Sequence, residues 1–129
     1  MRRFILATLL AVCSSGAAAE WVGIGGDDSI TFYADPASIR QAGNMVRMWN
    51  LVDYKTAQQW RDGKRYMSAK GEQEYDCKEP RTRTLYSFWH AVNMGLGDVI
   101  FSDLEVEKWE PVASRSLGEI LWKIACGRP

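Results

Sequence analysis

Met45-Val46-Arg47-Met48-Trp49-Asn50-Leu51-Val52-Asp53-Tyr54 is the stretch that decides the fold. Successive side chains of a strand point to opposite faces, so Val46, Met48, Val52 and Tyr54 share one face while Met45, Trp49 and Leu51 share the other. A strand that is apolar on both faces is covered on both, which predicts a central strand of a sheet. Upstream, Trp21 to Tyr33 reads as two short strands around a turn built from Gly23, Gly25, Gly26, Asp27 and Asp28. Asp35-Pro36-Ala37-Ser38 has the composition of a further turn, followed by Ile39-Arg40 and another turn at Gly43-Asn44.

Downstream, Lys55 to Gly63 is polar and turn-like around Trp60, and Lys64 to His90 reads as a hairpin region. From Gly71 to Cys77 the alternation puts Gln73, Tyr75 and Cys77 on an inward face and Glu72, Glu74 and Asp76 on a solvated one. Lys78-Glu79-Pro80-Arg81 makes the turn, and Thr82 to His90 returns as a strand whose Arg81 and Arg83 offset the acids across the hairpin. Met94 to Asp98 is a turn, Val99 to Ser102 a short strand, and Leu104 to Trp109 another strand, ended by Pro111. Ser116 with Glu119 has capping-box spacing, and Leu117, Ile120, Leu121 and Ile124 fall on one helical face before Gly127. Cys126 lies with Trp122 on a different side, which requires either a helix buried on two sides or a frayed last turn. The predicted class is α+β, mainly β: antiparallel sheet of about six strands with one C-terminal helix.

Arg2-Arg3, the apolar run Phe4 to Val12, and Ala17 and Ala19 ahead of Glu20 form a signal-peptide pattern with cleavage after Ala19. The run is much shorter than the roughly 20 residues that cross a bilayer. Leu10-Ala11-Val12-Cys13 is a weaker match to a lipobox, which would lipidate Cys13, because Val12 stands where Gly, Ala or Ser is wanted. Residues 1–19 are therefore read as a signal peptide and 20–129 as a single domain. Either route of processing removes Cys13 and leaves Cys77 and Cys126, and an even count in an exported chain reads as one disulfide.

Composition narrows the function. With Lys+Arg 16 against Asp+Glu 16 in 129 residues, no net field attracts nucleic acid or anionic membranes. The one His, His90, has no nucleophile motif beside it, and with both mature Cys oxidised no thiolate is available, so the expectation is no enzyme. No cofactor motif stands out, and Glu72, Glu74 and Asp76 lack the loop of oxygen ligands a divalent cation needs, so no metal is expected. Charge is uneven within the balanced total: Lys55 to Arg83 is basic and Asp98 to Glu110 acidic. Of the aromatic residues, Trp49, Tyr75, Trp89 and Trp122 are assigned to the core, which leaves Trp60 as the exposed anchor. The candidate partner-binding residues are Trp60, Arg61, Lys64, Arg65, Arg81 and Arg83.

These residues together resemble the surface-adhesin E family, also called the protein E-like domain. The resemblance runs through Trp21, Tyr33-Ala34-Asp35-Pro36-Ala37-Ser38-Ile39, Val46-Arg47-Met48-Trp49, Tyr66-Met67-Ser68 and Glu74-Tyr75-Asp76-Cys77. It continues through Arg83, Met94-Gly95-Leu96-Gly97, Trp109-Glu110-Pro111-Val112 and Cys126. It implies an exported bacterial protein with antiparallel sheets, a C-terminal helix and a Cys77–Cys126 disulfide. The implied role is non-enzymatic and adhesin-like, contacting extracellular or envelope proteins, with a homodimer as one arrangement, in the periplasm or at the cell surface. The competing reading is a periplasmic small-ligand binder that holds an apolar or haem-like molecule between aromatic residues, with His90 as a candidate ligand, which predicts an internal or dimer-interface pocket near His90.

Overall fold

The computed structural model describes residues 19–128, so the basic and apolar leader pattern and Cys13 lie outside the described residues. Six strands run β1 Val22–Gly26, β2 Ile30–Ala42, β3 Met45–Gln59, β4 Arg65–Asp76, β5 Arg81–His90 and β6 Val99–Asp103. They pair antiparallel in chain order, and a short β7, Glu110–Pro111, also pairs with β5. A helix, α1 Leu117–Ala125, closes the chain.

The central strand is where the sequence put it, with β3 flanked by β2 and β4, but it is longer. Lys55 to Gln59 continues it, with a register shift between Asp53 and Gln58 in place of the expected turn. Asp35-Pro36-Ala37-Ser38 is likewise not a chain reversal. It is a bulge inside β2, where the register against β3 shifts between Asp35 and Arg40. The Ser38 hydroxyl holds it there, donating to the Asp35 carbonyl at 2.6 Å and accepting from the Trp49 amide at 2.9 Å. A turn-forming sequence can therefore stay in line when one hydroxyl replaces the lost ladder bond. In the first hairpin the reversal falls on Asp27, whose Oδ1 accepts from the Ser29 amide at 2.7 Å, while Gly23 and Gly25 stay within β1. Gly26 has φ +146°, and a Cβ there would collide with the Ile30 carbonyl.

One sheet face carries the core. Ala34, Val46, Met48 and Tyr75 pack against Leu121, Trp122 and Ala125 of α1. The helix starts where predicted, with Ser116 Oγ accepting from the Glu119 amide at 3.2 Å. Its end is closed by Gly127 at φ +63°, with Arg128 N–H bonded to the Lys123 carbonyl and Gly127 N–H to that of Ile124. The buried face is rotated from the expected one: Ile120 is exposed, and Trp122 and Ala125 are buried. Trp122 is drawn inward because its Nε1 donates to the Asp76 carbonyl at 2.8 Å, satisfying the indole N–H on burial. The same rotation brings Cys126 onto Cys77, and these two residues form the disulfide across a sequence separation of 49. The chain-entropy model assigns such a loop about 4 kcal/mol.

The opposite sheet face overturns a second expectation. Glu72, Glu74 and Asp76 are not solvated; they are 0%, 5% and 4% exposed. Each is met by an arginine: Arg40 on Glu72, Arg47 and Arg83 on Glu74, and Arg81 on Asp76. Arginines recruited from other strands cap the acidic stripe, so that the carboxylates lie buried beneath partly exposed guanidinium groups. The segment Leu104 to Trp109 forms no strand; Leu104 and Val106 are exposed, and only the Glu107 amide bonds back to β5, at the Thr84 carbonyl. Trp49 and Trp89, assigned to the core, are half-buried.

Candidate functional site

The six candidate binding residues divide between the two ends of β4. Trp60, Arg61, Lys64 and Arg65 gather at the turn between β3 and β4. That turn is closed by Trp60 N–H on the Lys64 carbonyl at 2.8 Å and Gly63 N–H on the Trp60 carbonyl at 2.9 Å, with Gly63 at φ +86°. The geometry folds Trp60 back over its neighbours. Its ring stacks on Phe101 at 4.4 Å and lies 5.0 Å from Trp89 and 6.2 Å from Tyr66, which in turn meets Tyr54 at 5.7 Å. Burial, and then the neighbouring Tyr66, push the Tyr54 hydroxyl pKa up.

Around this cluster, Arg61, Lys64 and Arg65 are exposed. Lys64 lies 3.9 Å from Asp62, an exposed pair of little worth, and neither Arg61 nor Arg65 has an ion-pair partner among the described residues. Phe101 and Val99 of β6 are exposed beside it, and β6 is the outermost strand of the main sheet order, with one edge unpaired there. Aromatic rings, unpaired guanidinium groups and an open strand edge are the ingredients from which protein-binding hot spots are made.

Arg81 and Arg83 stand at the other end. With β4 running from Arg65 to Asp76, at about 3.3 Å per residue the two groups are roughly 35 Å apart. They are already engaged. Arg81 Nε donates to Asp76 at 2.9 Å, Arg83 donates to Glu74 at 3.0 and 2.7 Å, and both guanidinium groups sit over the Trp109 ring at 4.7 and 4.5 Å. The Glu79 amide first, then Arg81 and the Lys78 amide, hold the Asp76 carboxyl below its ordinary pKa against the opposing effect of burial. Glu72 is held between Arg40 at 3.2 Å and the Tyr86 hydroxyl at 2.9 Å. Burial and then that carboxylate push the Tyr86 pKa up.

His90 is buried, and the 91–98 loop returns over it. Its Nδ1–H donates to the Gly97 carbonyl at 3.2 Å, and its Nε2 is buried without a partner among the described residues. Burial lowers its pKa, Lys70 adds to the lowering, and the Gly97 bond opposes it. None of the hollows lined by Trp49, Leu51 or Trp109 includes His90. Sequence reasoning missed Tyr54, Tyr66 and Phe101 as partners of Trp60. It also missed Trp109 as the plate under two arginines, although Trp109 is the sole indole in the acidic segment and so carried a signal.

Comparison with known proteins gives a consistent picture. The family model described as Surface-adhesin protein E matches residues 21–127. A structure of Haemophilus influenzae protein E superposes with a TM-score of 0.64 at 11% identity, covering 83% of this chain and 83% of that one. Its selenomethionine form gives 0.62 at 12% identity, covering 74% and 78%. Protein E from non-typeable Haemophilus influenzae gives 0.61 at 11% identity, covering 81% and 75%. At such identities the likeness is one of fold. No curated protein sequence matches the chain.

Proposed function

Since the chain belongs to the surface-adhesin protein E family, we propose that it is an exported, non-enzymatic surface protein that holds another extracellular or envelope protein at the β3–β4 end of its sheet. One observation carries the placement of the contact. Trp60 is stacked into a half-exposed aromatic cluster ringed by Arg61, Lys64 and Arg65, while the other arginine group is committed to the fold's own carboxylates. Three exposed cations beside half-exposed rings suit an acidic partner surface that also presents apolar side chains, because desolvated guanidinium and indole groups give both charge pairing and stacking area. The leader pattern at residues 1–19 supports export, and no helix among the described residues is long and apolar enough to cross a membrane.

Protease shaving of intact bacteria, followed by mass spectrometry, tests the location. Release of peptides from residues 20–129, with a periplasmic marker left whole, is the expected result. Complete protection of a protein that the same protease cuts after lysis would overturn surface display.

A further inference from the structure

On the sheet face opposite α1, the bulge in β2 leaves a hollow of about 390 Å³ lined by Ala19, Trp21, Asp35, Ala37, Ser38, Trp49 and Lys70. Asp35 is 6% exposed, and its Oδ1 is buried with no hydrogen-bond partner among the described residues. A buried carboxylate oxygen without a donor is costly, and a site that leaves one in place awaits a donor. Lys70, across the hollow on β4, has no ion-pair partner among the described residues either, although a carboxylate stands in the same cavity. Two indoles, Trp21 and Trp49, supply apolar wall and π surface.

We infer that this hollow is a binding site for a small zwitterion, a protonated amine and a carboxylate joined by a short hydrocarbon body. The amine N–H groups donate to the Asp35 carboxylate, the ligand carboxylate meets the Lys70 ammonium, and the hydrocarbon lies along Trp21 and Trp49. A quaternary ammonium would not serve, because the Asp35 carboxylate lacks a hydrogen-bond donor and not merely a charge. Two sources offer this chemistry. One is a free amino acid. The other is this chain's own Glu20, which carries an α-ammonium and a side-chain carboxylate once cleavage after Ala19 exposes it and removes Ala19 from the wall, tethered to Trp21, which already lines the hollow. The first source is independent of the function proposed above; the second rests on its export step.

The test uses the mature chain, residues 20–129, with a free and with an acetylated Glu20 amine. The acetylated form is titrated with glycine, β-alanine, 4-aminobutyrate and 6-aminohexanoate, followed by tryptophan fluorescence, with hexanoate and hexylamine as single-charge controls. Saturable binding of at least one zwitterion and neither control is expected, weakened about tenfold or more by Asp35→Asn and by Lys70→Met. The Asp35→Asn change leaves the Asp35 carbonyl that Ser38 uses, and Trp21→Ala is a second variant outside the ladder of β3 and β4. A higher melting temperature for the free-amine form than for the acetylated one, abolished by Asp35→Asn, assigns Glu20 as the occupant. Either result supports the site. Absence of both overturns it. Terminal sequencing of the exported protein reads the cleavage position separately, so a start other than Glu20 removes the tethered source and leaves the titration to decide.

Discussion

The two ends of β4 carry the same residue types to opposite ends. Arg81 and Arg83 are fixed between buried carboxylates and the Trp109 ring, whereas Arg61 and Arg65 stand beside an aromatic cluster with no acid on them among the described residues. In sequence they form one basic interval. What separates them is the partner the fold delivers: Trp109, Glu74 and Asp76 at one end, and at the other Phe101 and Trp89, which engage Trp60 and leave the cations in water. A guanidinium is a structural element where a buried carboxylate has to be compensated, and a surface contact where nothing has to be.

The largest expected effect breaks the stapled end. Replacing Cys77 and Cys126 together by serine should cost about 4 kcal/mol, read as a lower denaturant midpoint with a steeper slope, because the uncross-linked chain exposes more surface on unfolding. Glu74→Gln should come next, because it removes the charge shared by Arg47 and Arg83 and turns one of the two acceptor oxygens into an NH2 donor facing a guanidinium; a loss of about 2 kcal/mol is expected in the same assay. Trp109→Ala removes the plate beneath two arginines and should cost about 1 kcal/mol, less when Arg81 and Arg83 have already been replaced.

Acid sharpens the comparison further. The folded pKa of His90 lies below its ordinary 6.5, so the unfolded chain takes the proton first. Stability is full above that value and declines as pH falls through it towards the folded pKa, and His90→Gln should flatten this part of a melting-temperature profile. Asp76, also depressed, adds its loss only below its ordinary 3.8. The smallest stability effect belongs to the open end. Arg61→Glu with Arg65→Glu should stay within about 0.5 kcal/mol of the parent while abolishing attachment of bacteria to the surfaces the parent chain binds. A large loss of stability there would erase the distinction between the two ends.

How much of this was legible follows from the range of the interactions. The central strand, the hairpin turn at Gly43-Asn44, the helix cap at Ser116 and the disulfide depend on local pattern or on a count of two, and each could be read directly. The burial of Glu72, Glu74 and Asp76 could not. Alternating acids are the ordinary mark of a wet face; the pairing of Arg81 and Arg83 across the hairpin was legible, but Arg40 and Arg47 come from β2 and β3, at separations of 32 and 27 residues. The bulge at Asp35 to Ser38 was hidden for a similar reason, since its chemistry is that of a turn and only the Trp49 amide, supplied by the next strand, keeps it in line. Of the candidate site, the exposed cations around Trp60 were visible, but the rings against which Trp60 packs are brought together by the sheet alone.

The Cys77–Cys126 link also divides the molecule mechanically. A pull between Val22 and Arg128 cannot draw out the 49-residue span between the two cysteines, which withholds roughly 160 Å of extended chain. β5, β6 and α1 lie inside that loop, while β1 to β3 and the β3–β4 turn lie outside it. The stack of Trp60 on Phe101 is therefore a joint between an extensible half and an inextensible one. Under load that joint parts with the first half, while reduction of one bond releases the second.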